Sequence, residues 1–315
     1  MKVAVVGATG NIGGRLSRQL LASGHSVRVL SRGGGSLDEL VALGAEPVLG
    51  SFDDGSTNLG GFFAGVDAAF TMVRSDWSNV RHYHAVAERL ADSLQASRPP
   101  LVANLSSIGA DLDNAGHSSH FKQLETALND VQGITVVHLR GGWFMENFLS
   151  HLGGVARFST IASMVRTDRP LPLVATADIA RAAAEEITGH SRAAEGIREV
   201  QGPEDLSFED AADRISRAVG RPVRAVTIAP DAAQVKELYL SSGGIEENWE
   251  HRLVTDAAFN DGRVTFHGPR SEFDTSSMRF GHFVQYAWMP AYRQQADRTA
   301  GSGFPIWLAE HASRT

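Results

Sequence analysis

The chain of 315 residues contains no cysteine. That absence excludes disulfide bonds, thiolate nucleophiles and cysteine-ligated metal centres. No apolar run approaches the roughly 20 residues needed to cross a bilayer, so we expect no membrane partner. The first apolar run begins directly after Lys2, which leaves no room for a signal peptide before it. These features predict a cytoplasmic protein.

Basic residues are too few for a nucleic-acid surface. The chain has 29 Lys and Arg against 36 Asp and Glu, for a net charge of −7, and no Lys/Arg-rich run. We therefore expect no nucleic-acid partner. It has 12 histidines, but none are spaced as HxxxH or HExxH, so we also expect no metal site.

The most informative segment that is present lies at the start of the chain. The apolar run of residues 3–6 leads into GATGNIG, and Ile12, Leu16 and Leu20 then recur at helical spacing. A strand, a glycine-rich turn and a helix in this order place a pyrophosphate on the helix N-terminus. A tight turn that binds no ligand is the structural alternative.

Each position of this turn has a predicted role. Gly7 allows the tight turn, Gly10 lets the backbone approach the phosphates, and Gly13 lets the helix pack closely on the sheet. Backbone N–H groups beside the phosphates are expected from Thr9, Asn11 and Ile12.

The glycine spacing is G-x-x-G-x-x-G, which is typical of short-chain dehydrogenases. The motifs VRVLSR, GVDAAF, NLSSIG, LRGGWFMENF and TADIARAA follow GATGNIG in order. On these motifs the chain resembles the NmrA-like group of atypical short-chain dehydrogenase/reductases. The resemblance covers about residues 1–220 and says little about residues 221–315.

The second predicted strand ends in Ser31-Arg32, with no acid before Asp38. An acid at this position would bind the ribose of NAD and repel a 2′-phosphate. Arg32 can instead bind that phosphate and stack on adenine, so the sequence predicts NADP(H). A solvated surface arginine is the alternative. By resemblance Phe52 and Asp53 border the adenine; the alternative there is a simple Asp turn.

The catalytic residues of the family are only partly present. Short-chain dehydrogenases use Ser, Tyr and Lys, with the tyrosine four residues before the lysine. Lys122 fits the lysine position and would also bind ribose, and Ser107 matches the serine, but Ser118 replaces the tyrosine. His117 is a candidate proton donor in its place, and the nearby His120 is a second one. The alternatives are a solvated lysine, a polar strand end and an exposed histidine.

An aromatic segment follows the sixth predicted strand. Gly141 stands where the family has a proline, and we predict substrate contacts at Trp143, Phe144, Met145 and Asn147. They lie beyond the carboxyl end of a strand, where α/β sheets bind ligands, and would wall the nicotinamide and a small, flat, apolar substrate. Core packing is the alternative.

The element pattern predicts an α/β fold. Strands and helices alternate with short links up to about residue 150, as in a doubly wound parallel (Rossmann) sheet. We predict that residues 1–150 form the NADP-binding domain and that residues 176–201 return to it. Residues 151–175 and 202–315 would form a smaller α+β substrate or partner domain.

Three functions fit these residues. The first is hydride transfer from NADPH to a quinone, enone or related conjugated carbonyl, because such acceptors can take their proton from water. The second is a non-catalytic redox-sensing regulator that binds NADP(H) and a partner protein. The third is another NADP-dependent reduction or isomerisation. The protein is expected to be a monomer or a homodimer.

Overall fold

The computed structural model describes residues 1–53, 55, 59–74, 80–189, 196–229, 233–241, 244–271, 275–296 and 304–314. The chain divides into two compact units. The first comprises Met1–Asp113, Ser118–Gly141 and Thr176–Val200, and the second comprises Asn114–His117, Gly142–Ala175 and Gln201–Thr315.

The strands are, in chain order, β1 (Lys2–Val5), β2 (Ser26–Ser31), β3 (Glu46–Leu49), β4 (Ala68–Thr71), β5 (Leu101–Ser107), β6 (Thr135–Gly141), β7 (Trp143–Phe144), β8 (Thr160–Ser163), β9 (Leu171–Val174), β10 (Ile197–Val200), β11 (Asp205–Leu206) and β12 (Arg224–Thr227).

The α-helices are α1 (Asn11–Ala22), α2 (Gly35–Ala42), α3 (Val80–Ser97), α4 (His120–Asn129), α5 (Leu152–Phe158), α6 (Thr176–Ile187), α7 (Phe208–Val219), α8 (Ala233–Ser241), α9 (Glu246–Asn260), α10 (Phe280–Phe283), α11 (Met289–Ala296) and α12 (Phe304–Arg314). Short 3₁₀ helices span Gly116–Ser119 and Met145–His151, and a π-helix spans Val284–Trp288.

The first unit is built on a seven-stranded parallel sheet in the order β10-β6-β5-β4-β1-β2-β3. Val3 and Val5 of the central strand β1 are completely buried. Burial on both faces is what allows such a strand to be a continuous apolar run. The predicted doubly wound α/β fold is confirmed.

Helices cover both faces of this sheet. α1 packs with α6, and α3 packs with α4. Ala4 joins Tyr83 and Leu124 in the core formed with α3 and α4. Because successive strand residues point to opposite faces, Val3 and Val5 face the other layer. The carboxyl ends of the strands, and with them the glycine turn, lie along one edge.

The second unit has two small sheets. In one, β9 pairs antiparallel with β11 and parallel with β7; the other is the parallel pair β8 and β12. The segment Ser207-Phe-Glu-Asp210 predicts a capping box at the start of α7. It is confirmed, because the N–H of Asp210 donates to Ser207 Oγ at 3.0 Å and the N–H of Ser207 donates back to Asp210 Oδ2 at 2.9 Å. Within the described ranges, no helix is long and apolar enough to cross a bilayer.

One helix of this unit extends further than its sequence suggests. Phe280 and Trp288 predict a helix that Pro290 ends, yet α11 continues through Pro290 to Ala296. In a regular α-helix the proline ring would clash with the carbonyl of Tyr286. The π-helix immediately before α11 widens that turn, and this local change accommodates the proline.

Candidate functional site

The turn after β1 requires glycine at positions 7 and 13, because a side chain at either position would collide with its neighbours. Gly7 has φ +71°, and a Cβ there would lie 2.6 Å from Met72 Sδ. A Cβ on Gly13 would lie 2.7 Å from the carbonyl carbon of Gly7. The N–H of Gly10 closes the turn by donating to the Gly7 carbonyl at 2.9 Å. The first turn of α1 is thus held directly against the end of β1.

The N-terminus of α1 is suited to an anion. Gly10 is the N-cap, and the described residues provide neither a side-chain cap nor an acid in the first turn. Thr9 and Asn11 are exposed, while Ile12 is buried against the sheet. The first N–H groups of a helix lack internal partners and carry the positive end of its dipole, so this end can bind a phosphate.

Arg32 lies at the same edge of the sheet, directly after β2, which is the neighbour of β1. Its side chain is exposed and forms no ion pair with the described residues. The N–H of Gly33 donates to Ser31 Oγ at 3.1 Å and turns the backbone away from the strand. The guanidinium is therefore available to an anionic ligand.

The residues after β3 are held by an arginine that the sequence analysis missed. Arg89 of α3 donates through Nε to the carbonyl of Phe52 at 2.8 Å and through Nη2 to that of Asp53 at 3.0 Å. The ring of Phe52 is buried and stacks on Phe63, with 6.1 Å between centroids. Any contact of Phe52 with a nucleotide must therefore come from its backbone. No sequence motif marks Arg89.

Lys122 and Ser107 have local partners. Lys122 is exposed on α4 and its Nζ donates to Asp113 Oδ1 at 2.5 Å, a hydrogen bond that lowers the pKa of the Asp113 carboxyl. Ser107 ends β5 and its hydroxyl donates to the carbonyl of Ile108 at 3.1 Å. Both belong to the first unit. Ser118, four residues before Lys122, is buried.

A buried ion pair anchors α4 to the sheet. Arg140 of β6 donates to Glu125 twice, from Nε to Oε1 at 3.0 Å and from Nη2 to Oε2 at 2.7 Å. Ser106 donates to the same carboxylate at 2.5 Å, and Asp111 accepts from Arg140 Nη1 at 3.3 Å. The hydrogen bonds to Glu125 raise the pKa of Arg140. The ion pair therefore fixes α4 to the sheet at Glu125, which lies about one helical turn after Lys122.

His117 belongs to the second unit. Its backbone N–H donates to Thr255 Oγ1 of α9 at 2.8 Å, and the residue is buried. Gly116 has φ +57° and lies so close to α9 that a side chain would collide with Thr255. This packing determines where the backbone of His117 lies.

The four predicted substrate residues occupy different environments within the second unit. Trp143 and Phe144 form β7 and are half-buried, and Asn147 is exposed. The Trp143 ring packs on Phe259, with 4.9 Å between centroids. Met145 is completely buried, so no part of its side chain lies at the surface, and its contact with a substrate stays a prediction.

The family of the chain follows from comparison with known proteins. The model of the NmrA-like family matches residues 1–267. The chain belongs to the NmrA-like family. The resemblance predicted from the sequence motifs is therefore confirmed.

Among curated relatives, this NmrA-like chain is 28% identical over 234 residues to the (4-alkanoyl-5-oxo-2,5-dihydrofuran-3-yl)methyl phosphate reductase of Streptomyces griseus, covering 74% of this chain and 79% of the relative.

Two solved structures share the fold at 19% identity each. The NADPH-dependent quinone oxidoreductase of Escherichia coli in complex with NADPH has a TM-score of 0.66, with 99% of both chains covered. The negative transcriptional regulator NmrA in complex with NADP also has a TM-score of 0.66, with 98% of this chain and 97% of the other covered. One fold therefore occurs in an oxidoreductase and in a regulator.

Proposed function

We propose that this chain binds NADP(H) at the glycine turn and transfers hydride from NADPH to a quinone, an enone or a related conjugated carbonyl compound. One observation carries the proposal: the uncapped N-terminus of α1 adjoins a turn where a Cβ on Gly7 or Gly13 would collide with its surroundings. Such close backbone packing beside free amides suits a pyrophosphate.

The residues of the first unit fit this cofactor. The backbone amides around Gly10 would bind the pyrophosphate. Arg32 would bind the 2′-phosphate of NADP(H), since there is no acidic residue at the end of β2 that would repel this phosphate. The backbone after β3, held by Arg89, would border the adenine, with Asp53 accepting from its amino group. Lys122 would bind the ribose. The cofactor, when bound, supplies a hydride.

The choice of acceptor follows from the missing tyrosine. Tyr83 is buried in the core, where desolvation raises the pKa of its phenol, so it cannot replace the absent acid four residues before Lys122. A conjugated carbonyl can take its proton from water after reduction. The relatives reported above include reductases of an unsaturated lactone phosphate and of quinones, which supports this class.

Four residues complete the proposed chemistry. Ser107 would donate to the substrate carbonyl, and His117 would supply a proton where water does not. Phe144 and Asn147 would contact a flat substrate. We also propose that the first unit, which includes most of residues 1–150 and 176–201, binds the cofactor, and that the second unit, which includes Asn114–His117 and Gly142–Ala175, recognises the substrate or a partner.

The test is NADPH oxidation with a panel of quinones and enones. We expect turnover that falls at least tenfold in Lys122→Ala and in Phe144→Ala. Asp113→Ala is the matched control, because it removes only the exposed partner of Lys122 and should keep turnover. Tight NADPH binding without oxidation of NADPH by any compound of the panel would contradict the reductase proposal.

That negative result would favour the second candidate, a redox-sensing regulator. Two observations support this function. Ser118 stands where a short-chain reductase has its proton-donating tyrosine, and the NmrA regulator is among the structural neighbours. A protein that co-purifies with this chain in the presence of NADP but not of NADPH, or the reverse, would identify such a function.

A further inference from the structure

Helix α1 carries two exposed arginines that differ in their partners. Arg18 donates from Nη2 to Glu39 Oε2 of α2 at 2.7 Å. Arg15, in the second turn of α1, forms no ion pair with any residue that the structure describes. The positive charge of Arg15 is therefore available to an anionic ligand.

The contact made by Arg18 shows which side of α1 carries Arg15. Residues three apart lie about 60° apart around a helix, so both arginines are on the side of α1 that faces α2, with Arg15 one turn nearer the N-terminus. Long side chains in a helix run back toward its N-terminus. Arg18 does so, because its Nη1 donates to the Gly14 carbonyl at 3.3 Å. We therefore expect the guanidinium of Arg15 to extend toward the edge of the sheet that holds the glycine turn.

The end of β2 lies beside that turn. Val5 pairs with Val29 in the parallel ladder of β1 and β2. Continuing this register by two residues puts Gly7 beside Ser31, at the strand spacing of about 4.8 Å. Arg32 is the next residue, so it leaves the sheet next to the glycine turn.

Helix α1 rests on the same turn just before Arg15. A Cβ on Gly14 would lie 3.0 Å from the Ala8 carbonyl oxygen, so the helix backbone there touches the residue that follows Gly7. Arg15 follows Gly14 directly. Both arginines therefore start close to the turn, Arg15 from the helix that packs on it and Arg32 from the strand beside it.

The loop between β2 and α2 leaves room for a ligand at this point. It has the sequence Gly33-Gly34-Gly35-Ser36, and a Cβ on any of its three glycines would meet nothing within 4 Å. Helix α2 has two acids. Glu39 faces α1 and is paired with Arg18, whereas Asp38 lies about 100° further round the helix. The side of α2 that faces α1 therefore presents no unpaired acid to an anion.

We propose that Arg15 is a second arginine for the 2′-phosphate of NADP(H), which it binds together with Arg32. This inference rests on the proposed function, in which Arg32 binds that phosphate. A phosphate monoester carries a charge of about −1.5 to −2 at pH 7, so a single guanidinium balances only part of it. Guanidinium groups from two separate elements can donate to different phosphate oxygens. Arg15 is thereby a determinant of the preference for NADP(H) over NAD(H).

The other anion near Arg15 is the pyrophosphate proposed to lie at the N-terminus of α1. NADPH and NADH both carry the pyrophosphate, and only NADPH carries the 2′-phosphate. A side chain that contacts the pyrophosphate therefore changes both affinities equally, whereas one that contacts the 2′-phosphate changes the affinity for NADPH alone. The position of Arg15 on the α2 side of α1, near the residue that follows β2, favours the 2′-phosphate.

The test measures NADPH and NADH binding to the full chain by calorimetry. Arg15→Ala should weaken NADPH binding by at least about fivefold and change NADH binding by less than about twofold. Arg15→Lys keeps the charge without the planar fork and should lose less. Arg98→Ala is the matched control, because it removes an exposed arginine just before β5, at the opposite edge of the sheet. Equal losses for the two nucleotides in Arg15→Ala, or an unchanged affinity for NADPH, would overturn the proposal.

A double variant provides the second measurement. With both Arg15→Ala and Arg32→Ala, the chain should bind NADPH and NADH with nearly equal affinity, because neither guanidinium remains to bind the 2′-phosphate. The ratio of the two affinities is measured within one variant, so a loss of stability that affects both nucleotides cancels. A double variant with the same ratio as Arg32→Ala alone would show that Arg15 contributes nothing and would overturn the proposal.

This inference and the proposed function fail separately. A preference for NADPH that falls in Arg32→Ala but not in Arg15→Ala would contradict the role of Arg15 and leave the proposed function. A preference that falls in both variants, without NADPH oxidation by any compound of the panel, would contradict the reductase and leave the pair of arginines. A wild-type chain that binds NADH as tightly as NADPH would contradict both.

Discussion

His138 accepts a hydrogen bond from the side-chain amide of Asn104 inside the first unit, with 3.2 Å between Nδ1 and Nδ2. Asn104 Oδ1 accepts from Thr71, and this fixes which end of the amide faces the ring. The Nε2–H of His138 then donates to Asn129 at 3.1 Å. The network joins β4, β5 and β6 to α4 and requires a neutral imidazole, because a proton on Nδ1 would face the amide N–H.

This network predicts a pH dependence of stability. Burial lowers the pKa of His138 in the folded protein below its ordinary value of about 6.5. The unfolded chain takes up the proton first, so the free energy of unfolding falls as pH drops below about 6.5, until the folded pKa is reached. Urea unfolding at neutral and mildly acidic pH measures the effect.

His138→Gln should weaken that pH dependence. His282→Gln, which alters an exposed histidine, is the control and should keep it. An imidazole resonance of His138 that titrates at or above the ordinary histidine value would contradict the argument.

Because Gly13 packs directly on Gly7, we expect a larger residue at position 13 to weaken cofactor binding. In Gly13→Ala the new methyl group would displace α1 from the end of β1, at a cost of about 1–3 kcal/mol. We expect a lower melting temperature and an affinity for NADPH reduced at least tenfold, as measured by calorimetry. Gly61→Ala, where a Cβ meets nothing within 4 Å, should bind NADPH normally. Normal binding by Gly13→Ala would contradict the proposed phosphate site.

The exposed Arg32 predicts cofactor preference. Arg32→Ala should weaken NADPH binding by about tenfold or more and leave NADH binding nearly unchanged, because only NADPH carries the 2′-phosphate. Arg98→Ala, an exposed arginine that precedes β5 and so lies at the opposite edge of the sheet, is the control. Equal losses for the two nucleotides, or a wild-type protein that prefers NADH, would contradict the NADP(H) assignment.

The buried pair of Arg140 and Glu125 predicts a large stability effect. Arg140→Met leaves the Glu125 carboxylate buried without its main partner, which should cost about 3–5 kcal/mol of unfolding free energy. Adding Glu125→Leu should recover part of this loss. Arg18→Met, which breaks the exposed pair with Glu39, should change stability little. A double variant less stable than Arg140→Met alone would argue against this explanation.

Local features of the chain were predictable where one segment contains all of their parts. The short run Glu46–Leu49 predicts a strand from the sequence alone, and β3 has those bounds. The capping box of α7 needs only residues 207–210. The helix across Pro290 was not predictable, because its π-helical turn is an adjustment of backbone geometry that no residue type marks.

The sequence by itself determined the order of strands and helices, the glycine turn and the absence of an acid after β2, because these depend on periodicity, on backbone sterics and on neighbouring residues. Only the tertiary structure decided which side chains meet. Lys122 pairs with Asp113, Arg89 holds the backbone after β3, and Arg18 reaches Glu39 of α2. Hydrogen bonds and burial depend on the distance in space between groups far apart along the chain, and that distance exists only after folding.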